Sequence, residues 1–119
     1  MSKETQGNSV NLLCEGTIII GDIKTKSDIR IDGIVKGKMI TSGRLIIGNT
    51  AKVEGNIDCA NIDIHGVVLG DILASGTVSL KKLSKVIGNI SSAVLSIEPG
   101  SVFNGTCKML KQETRENSK

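Results

Sequence analysis

Val53-Glu54-Gly55-Asn56-Ile57 is followed by Val68-Leu69-Gly70-Asp71-Ile72, and the second stretch repeats the apolar, glycine and polar positions of the first. On either side of this pair, further glycine-polar-apolar triplets occur, so that the complete set begins at Gly21, Gly37, Gly55, Gly70, Gly88 and Gly105. The successive intervals are 16, 18, 15, 18 and 17 residues. A short unit that recurs at a nearly constant interval is typical of a solenoid, in which copies of one structural unit stack on each other.

Each interval also contains two apolar residues separated by one residue, which is the alternation of a β-strand with one buried face. These pairs are Leu12/Cys14, Ile29/Ile31, Leu45/Ile47, Ile62/Ile64, Val78/Leu80 and Leu95/Ile97. Further apolar residues lie two positions before and two positions after the motif glycines. Three short strands in each repeat describe one triangular coil. The sequence therefore predicts an all-β, right-handed parallel β-helix of about six coils, with the hand taken from the general preference of parallel strand connections.

The chain of 119 residues has room for one domain. The repeats place the β-helical domain at residues 10–110. Residues 1–9 are small and polar, and residues 111–119 are charged and lack apolar side chains. Segments of this composition cannot bury enough apolar surface to fold, so both are predicted to be disordered tails.

The composition excludes several functional classes. The net charge is +3, basic and acidic residues are interspersed, and Phe103 is the only aromatic residue, so nucleic-acid binding is not supported. The glycines do not form a Gly-Lys-Ser/Thr phosphate loop, so no nucleotide is expected. Three widely spaced cysteines, a polar start and the lack of a long apolar run indicate a protein of the reducing cytoplasm.

Residues that could carry catalysis or bind a metal are few. Cys14 and Cys107 fall in apolar columns and are predicted to point inward as small hydrophobes, while Cys59 is predicted at a corner. No cysteine pair has zinc-type spacing, and His65, the only histidine, is interpreted as a solvent-facing corner residue. We therefore expect no catalytic residue, no metal and no cofactor. Six acidic residues are interpreted as solvating side chains without a pairing partner: Asp22, Asp32, Asp58, Asp63, Asp71 and Glu98.

Two other functions are compatible with a triangular coil. One is a β-helical binding module that recruits partners through its flat faces without polymerising. The other is a hexapeptide-repeat acyltransferase, which would depend on His65. Those enzymes keep a stricter six-residue period than this chain, so this alternative ranks last.

The two ends of the predicted coil stack point to assembly. A β-helix exposes unpaired backbone groups and an open apolar bore at each end, unless a polar cap covers them. Here the first coil begins at once with Leu12 and Leu13, while Phe103, Met109 and Leu110 fall in the last coil. We expect these five residues to form a polymerisation interface. If like ends meet, the two contacts generate an open filament without polarity, a homopolymer joined head to head and tail to tail.

The order of several short motifs resembles that of the bactofilin family. The motifs are Ile29-Arg30-Ile31-Asp32-Gly33, Val35-Lys36-Gly37, Leu45-Ile46-Ile47-Gly48, Val53-Glu54-Gly55-Asn56-Ile57 and Leu95-Ser96-Ile97-Glu98-Pro99-Gly100-Ser101-Val102-Phe103-Asn104-Gly105. The resemblance covers about residues 10 to 110. It implies a right-handed β-helical core with short disordered tails, which polymerises without nucleotide into nonpolar filaments.

The resemblance also implies a role and a location. Bactofilins are bacterial cytoskeletal proteins that act as scaffolds in cell shape, cell-wall enzyme placement and polar organisation, so cell-wall or polar proteins are expected partners. By position, Phe103 corresponds to the family's C-terminal apolar residue at the polymer contact. Many members also bind the inner membrane through an N-terminal segment. In residues 1–9, Met1 is the only apolar side chain other than glycine and Lys3 the only basic one, so membrane contact would depend on avidity in a filament.

Overall fold

A computed structural model of the protein describes residues 10–110, which form sixteen β-strands in six stacked coils. The predicted all-β parallel β-helix is confirmed: every strand pairing in this part of the chain is parallel. The predicted disordered tails, residues 1–9 and 111–119, lie outside the described residues. No helix in residues 10–110 has the length and apolar character needed to span a bilayer.

The strands form the three faces of a triangular prism. Face A consists of β1 (Val10–Leu13), β4 (Asp28–Ile31), β7 (Arg44–Ile47), β10 (Asn61–Ile64) and the second halves of β12 (Ile72–Leu80) and β14 (Ile90–Ile97). Face B consists of β2 (Ile18–Ile20), β5 (Ile34–Lys36), β8 (Lys52–Glu54), β11 (Val67–Leu69), β13 (Lys85–Ile87) and β15 (Val102–Asn104). Face C consists of β3 (Ile23–Thr25), β6 (Met39–Thr41), β9 (Ile57–Cys59), the first halves of β12 and β14, and β16 (Cys107–Met109).

The core is the bore enclosed by the three faces. In the four inner coils, all side chains of the inward columns are buried, from Ile29 in the second coil to Ser92 in the fifth. Identical or similar residues stack above one another, as in the column Val35, Val53, Val68 and Val86 on face B. Because the bore is narrow and repeats regularly, aliphatic side chains fill it without aromatic rings.

The motif glycines form a column at the corner between faces B and C. Gly55 has a φ of +142°, a conformation that only glycine adopts readily. A Cβ atom on Gly55 would overlap the carbonyl oxygen of Gly37 in the coil below. Glycine is therefore required here both by the backbone angle and by the close stacking of the coils.

Side chains after these glycines link one coil to the next. Asp22 Oδ1 accepts a hydrogen bond from the Lys38 backbone N–H at 3.1 Å, and Asp71 Oδ1 accepts one from the Asn89 N–H at 3.2 Å. Asn56 Oδ1 likewise accepts from the Asp71 N–H at 3.3 Å. Where the polar position of the repeat is Asp22, Asn56 or Asp71, it thus forms an Asp/Asn ladder that satisfies backbone donors at the corner.

The expectation that the acidic residues have no partners is wrong for most of them. Besides the ladder, Arg30 pairs with Asp32, Arg44 with Asp63 and Lys81 with Glu98, with N–O distances of 3.0, 2.9 and 3.6 Å. The Arg44 pair joins the third coil to the fourth. The Arg44 and Lys81 pairs connect residues that stacking brings together, so these two pairs follow from the register of the coils, whereas Arg30 and Asp32 are two residues apart on one coil. Among the six, only the side chain of Asp58 has no hydrogen bond or ion pair within residues 10–110.

The corner between faces A and B, here called the A–B corner, explains most of the variation in the repeat interval. In the second and fourth coils two residues make this corner, at 32–33 and 65–66. In the other coils four-residue turns make it, at 14–17, 48–51, 81–84 and 98–101. In each of these turns the fourth N–H donates to the first carbonyl, at 3.0 to 3.3 Å. The extra residues project from the prism without disturbing the stack.

Candidate functional site: the two ends of the coil stack

The N-terminal end of the stack is an open apolar surface. Leu13, Ile19 and Ile23 occupy the inward columns of the first coil and pack on the core from below, but they are only partly buried. They line an open cavity of about 300 Å³ together with Thr25 and Ile29, with Lys24 at its rim. The corresponding residues of the inner coils are fully covered by the next coil. Within residues 10–110, no coil covers this end.

The C-terminal end exposes the inward side chains of the last coil. These are Leu95, Ile97, Phe103, Cys107 and Met109, which register above Val78, Leu80, Val86, Ile90 and Ser92. Leu95 and Phe103 are partly buried and pack against the core, while Ile97 and Met109 are 51% and 52% exposed. Met109 stands at the top of a column of small residues, where a long side chain fits because no coil lies above it.

Both ends also carry unpaired backbone groups. In the described part of the chain, β1, β2 and β3 pair with a neighbour on one side only, and so do β15 and β16 at the other end. Such edge strands can accept a further strand, which makes them templates for association. Apolar side chains and free backbone donors and acceptors are therefore presented together at each end.

The predicted interface residues do not all lie on these end surfaces. Leu13 belongs to the N-terminal end, while Phe103 and Met109 belong to the C-terminal end, five coils away. Leu110 is partly buried where the chain leaves the last coil, and its backbone N–H donates to the Ser92 carbonyl at 2.7 Å. Leu12 is 57% exposed on the outside of face A.

The inward pairing of Leu12 with Cys14 is wrong by one residue. In the structure Leu12 registers with the outward Arg30, and Leu13 registers with the buried Ile31. The first coil contains adjacent apolar residues, so the alternation alone did not fix which of them points inward. Only pairing with the second coil fixes it.

The sequence reasoning omitted several members of the two ends: Ile19, Ile23, Leu95, Ile97 and Cys107. The signal that finds them was present, since each belongs to an inward column of the repeat. The inward residues of the first and last coils are the end surfaces. Selecting residues by their position in a terminal coil, and not by their size, would have identified all five.

The cysteines are distributed differently from the expectation. Cys14 and Cys107 are exposed, because Cys14 lies in the first A–B turn and Cys107 in the uncovered last coil. Cys59, predicted at a corner, is buried on the inner side of β9. Burial, together with the nearby Asp58 carboxylate, raises the pKa of the Cys59 thiol to about 12. Cys59 is therefore protonated and unreactive at neutral pH.

Nothing in the described residues resembles a catalytic or metal centre. No group of three or more His, Cys, Asp or Glu side chains in residues 10–110 is placed to hold a metal ion. His65 lies in the two-residue corner of the fourth coil, where its backbone N–H donates to the Ile47 carbonyl at 2.7 Å. The candidate functional site is therefore the pair of uncovered bore openings, where inward side chains such as Ile97 and Met109 are exposed.

Residues 10–110 thus define a parallel β-solenoid with an apolar, unpaired surface at each end. A family model for bactofilins, described as polymer-forming cytoskeletal proteins, matches residues 11–108, and the chain belongs to this family. The recognition made from the short motifs is confirmed. A comparison with curated proteins found no match.

Two solved structures are similar to this chain. One is the cytoskeletal bactofilin BacA, determined by solid-state NMR: it is 32% identical, with a TM-score of 0.77, and the match covers 87% of this chain and 98% of that one. The other is the Thermus thermophilus bactofilin, reconstructed by cryo-EM as double helical filaments. It is 28% identical, with a TM-score of 0.73, and the match covers 82% of this chain and 98% of that one.

Proposed function

We propose that this bactofilin is a structural, non-enzymatic filament subunit that polymerises end to end through the two open coils, without nucleotide. The observation that carries the proposal is the exposure of bore residues at both ends, exemplified by Leu13 and Ile97. Stacking a second molecule on either end continues the bore and removes these side chains from water. The Thermus thermophilus relative was reconstructed as double helical filaments, which supports self-assembly into filaments.

The end contact needs more than apolar burial. One coil covers only a few hundred Å² per partner, which is below the roughly 800 Å² per partner of a standard interface. The edge strands can supply the remainder through backbone hydrogen bonds that extend the ladders across the contact. Leu13 and Phe103 then act as packing residues, and Leu12 lies at the rim of the N-terminal contact.

We further propose that like ends meet, so that the filament is nonpolar. In cells, such a filament would serve as a cytoplasmic scaffold for cell shape, cell-wall enzymes or polar organisation, with cell-wall or polar proteins as its partners. Contact with the cytoplasmic face of the inner membrane would involve residues 1–9, and it would be strengthened by the many copies in one filament. Membership of a polymer-forming cytoskeletal family supports the proposed scaffold role.

Electron microscopy and sedimentation of the purified protein without nucleotide test polymerisation. Phe103→Asp and Ile97→Asp each place a carboxylate on the C-terminal end and are expected to abolish filaments, because a buried unpaired charge is strongly unfavourable. Asn104→Asp is the matched control, since Asn104 lies beside Phe103 but is exposed on the outside of face B. Circular dichroism confirms that each variant is folded. Filaments formed by both end variants would contradict the end contact.

The native cysteines test whether like ends meet. Cys14 marks the N-terminal coil and Cys107 the C-terminal coil, while Cys59 is buried and unreactive. Filaments are treated with bismaleimides of several lengths, and products are separated under denaturing conditions. In a nonpolar filament, Cys14→Ser and Cys107→Ser should each still give cross-linked dimers. In a head-to-tail filament, every link joins Cys14 to Cys107, so either substitution would abolish cross-linking and refute the nonpolar arrangement.

A further inference from the structure

One turn at the A–B corner differs from its counterparts in the other coils. In the turn at residues 81–84, Leu83 has a φ of +69° and is 79% exposed. The equivalent positions of the first and last turns are Gly16 and Gly100, with φ values of +92° and +90°. Glycine adopts this left-handed conformation without strain, whereas leucine does not. The turn therefore holds a large apolar side chain out in solvent in a strained conformation.

The next residue of the same turn carries a second irregularity. The Ser84 hydroxyl is buried and has no hydrogen-bond partner within residues 10–110. At the equivalent position, the third coil has Ala51, and the last coil has Ser101, whose hydroxyl donates to the Glu98 carbonyl at 2.7 Å. The turn at residues 81–84 thus combines a non-glycine residue at positive φ with a buried hydroxyl that has no partner, and the other three turns have neither feature. Such concentrated departures are typical of surfaces shaped by function.

The exposed leucine is flanked by free positive charges. Of the lysines around it, Lys81 pairs with Glu98. Lys82 and Lys85 are exposed, and their ammonium groups form no ion pair within residues 10–110, although the Lys82 backbone N–H donates to the Glu98 carboxylate at 3.1 Å. We call Lys82, Leu83 and Lys85 the Leu83 knob. Its chemistry fits a partner surface with an apolar recess bordered by carboxylates.

This protein carries such a surface on face C. An open depression of about 410 Å³ surrounds Leu73, which is 45% exposed. Its lining includes the carboxylates of Asp58 and Asp71, opposed by the single ammonium group of Lys38. Asp58, the acidic residue without a partner among the described residues, lies next to Leu73 in the outward column of face C. The depression is thus apolar at its centre and carries a net negative charge.

The two surfaces cannot meet within one molecule. In a three-sided coil, the A–B corner lies opposite face C. The Leu83 knob belongs to the fifth coil and Leu73 to the fourth, so the surfaces lie at nearly the same height on opposite sides. A second molecule lying alongside can place its knob in the depression with an offset of about one strand spacing, roughly 4.8 Å.

We propose that the Leu83 knob of one copy binds the Asp58–Asp71 depression of a neighbouring copy, and that this side contact joins filaments laterally. The proposal rests on the end-to-end filament proposed above. A knob-to-knob contact is disfavoured, because it would bring lysines against lysines. Since knob and depression lie on opposite sides, each copy uses both, and the contact propagates into open sheets or bundles.

The experiment compares low-speed sedimentation, which collects bundles, with high-speed sedimentation, which collects single filaments, and images both by electron microscopy. For Leu83→Asp we expect the low-speed fraction to fall by about tenfold, with unchanged high-speed recovery, because a carboxylate replaces the apolar anchor. Leu83→Met is the matched control and keeps bundling. Lys85→Glu is expected to reduce bundling, and addition of Asp58→Lys is expected to restore it, because Asp58 has no structural bond to lose.

The outcomes separate this inference from the filament proposal. Loss of bundles with retained single filaments supports the side contact, whereas Phe103→Asp removes both kinds of particle. Wild-type bundling by the Leu83→Asp variant would overturn the side contact and leave the filament intact. A second result would also overturn the side contact: bundling that is independent of Leu83, together with binding to anionic phospholipid vesicles that requires Leu83. The knob would then face a membrane. Failure of the charge exchange to restore bundling would rule out Asp58 as its partner.

Discussion

The close stacking of the coils at the glycine column can be tested by adding a single Cβ atom to one glycine. Gly55→Ala adds a Cβ at a backbone angle of +142°, where it overlaps the Gly37 carbonyl oxygen in the coil below. Gly21→Ala adds the same atom at +136°, but no atom of residues 10–110 lies within 4 Å of it, because Gly21 belongs to the first coil. The two substitutions share the backbone strain and differ only in the contact between coils.

The structure gives the size of each effect. Strain of an alanine at these angles costs about 1–3 kcal/mol in either variant. In Gly55→Ala the coils must also separate locally. The Gly37 N–H to Glu54 carbonyl bond and the Met39 N–H to Asn56 carbonyl bond cross this gap, both at 2.9 Å. Weakening two such bonds costs about 2 kcal/mol more, so Gly55→Ala should lose about 3–5 kcal/mol of a typical stability of about 5–15 kcal/mol.

Urea unfolding followed by far-UV circular dichroism measures the difference, with all proteins at one concentration below that at which they sediment. The midpoint should fall from the unsubstituted protein to Gly21→Ala and further to Gly55→Ala, with similar dependence on urea. If Gly55→Ala is no less stable than Gly21→Ala, then the glycines are not in close contact, and the described stacking is incorrect.

Three further substitutions address individual positions. Ser92→Ala should raise the unfolding free energy by about 1 kcal/mol, because its buried hydroxyl has no partner within residues 10–110. Leu83→Asn should raise it by about 1 kcal/mol, because asparagine tolerates a positive φ and little apolar burial is lost. Maleimide should label Cys14 and Cys107 at neutral pH and Cys59 about a thousandfold more slowly than an ordinary thiol, because its pKa is raised from 9.0 to about 12. The folded protein should also lose stability between about pH 9 and 12, where the unfolded Cys59 thiol ionises first, and Cys59→Ala should remove this loss.

Each of these expectations has a clear contrary result. Destabilisation by Ser92→Ala would mean that the hydroxyl is bonded in solution. A lower urea midpoint for Leu83→Asn would mean that the leucine makes stabilising contacts within the molecule. Labelling of Cys59 as fast as that of Cys14, measured by mass spectrometry of peptides, would contradict its burial.

Most of the fold could be predicted from the sequence because the same pattern of inward residues and corner glycines recurs in six coils. Columns such as Val35, Val53 and Val68 define the inward direction independently of any one strand. The prediction of which residue points inward was wrong at Leu12 and Leu13. Consecutive apolar residues make the alternation ambiguous there, and the first coil has no earlier coil for comparison. No residue pattern encodes the hand of the coil, which rests on a general preference.

The site was predicted in part for the same reason. The ends of the stack follow from counting coils, so Leu13 and Phe103 could be selected from the repeat. The Asp/Asn ladder and the Arg44–Asp63 and Lys81–Glu98 ion pairs were missed because they join residues 15 to 19 positions apart in the sequence, which only the register brings together. The strain at Leu83 was also invisible, since a turn of that length can be made with either sign of φ at its third position.

Each coil pairs only with the coils directly before and after it, and this affects where the protein unfolds and where proteases can cut it. Each coil is held by the one below and the one above, so melting should begin at the first and last coils, which lack one neighbour. Polymerisation would supply the missing neighbour, and a chain of many subunits would leave vulnerable coils only at its two tips. Resistance to proteases should therefore grow with polymer length, as the ratio of protected to fraying coils rises.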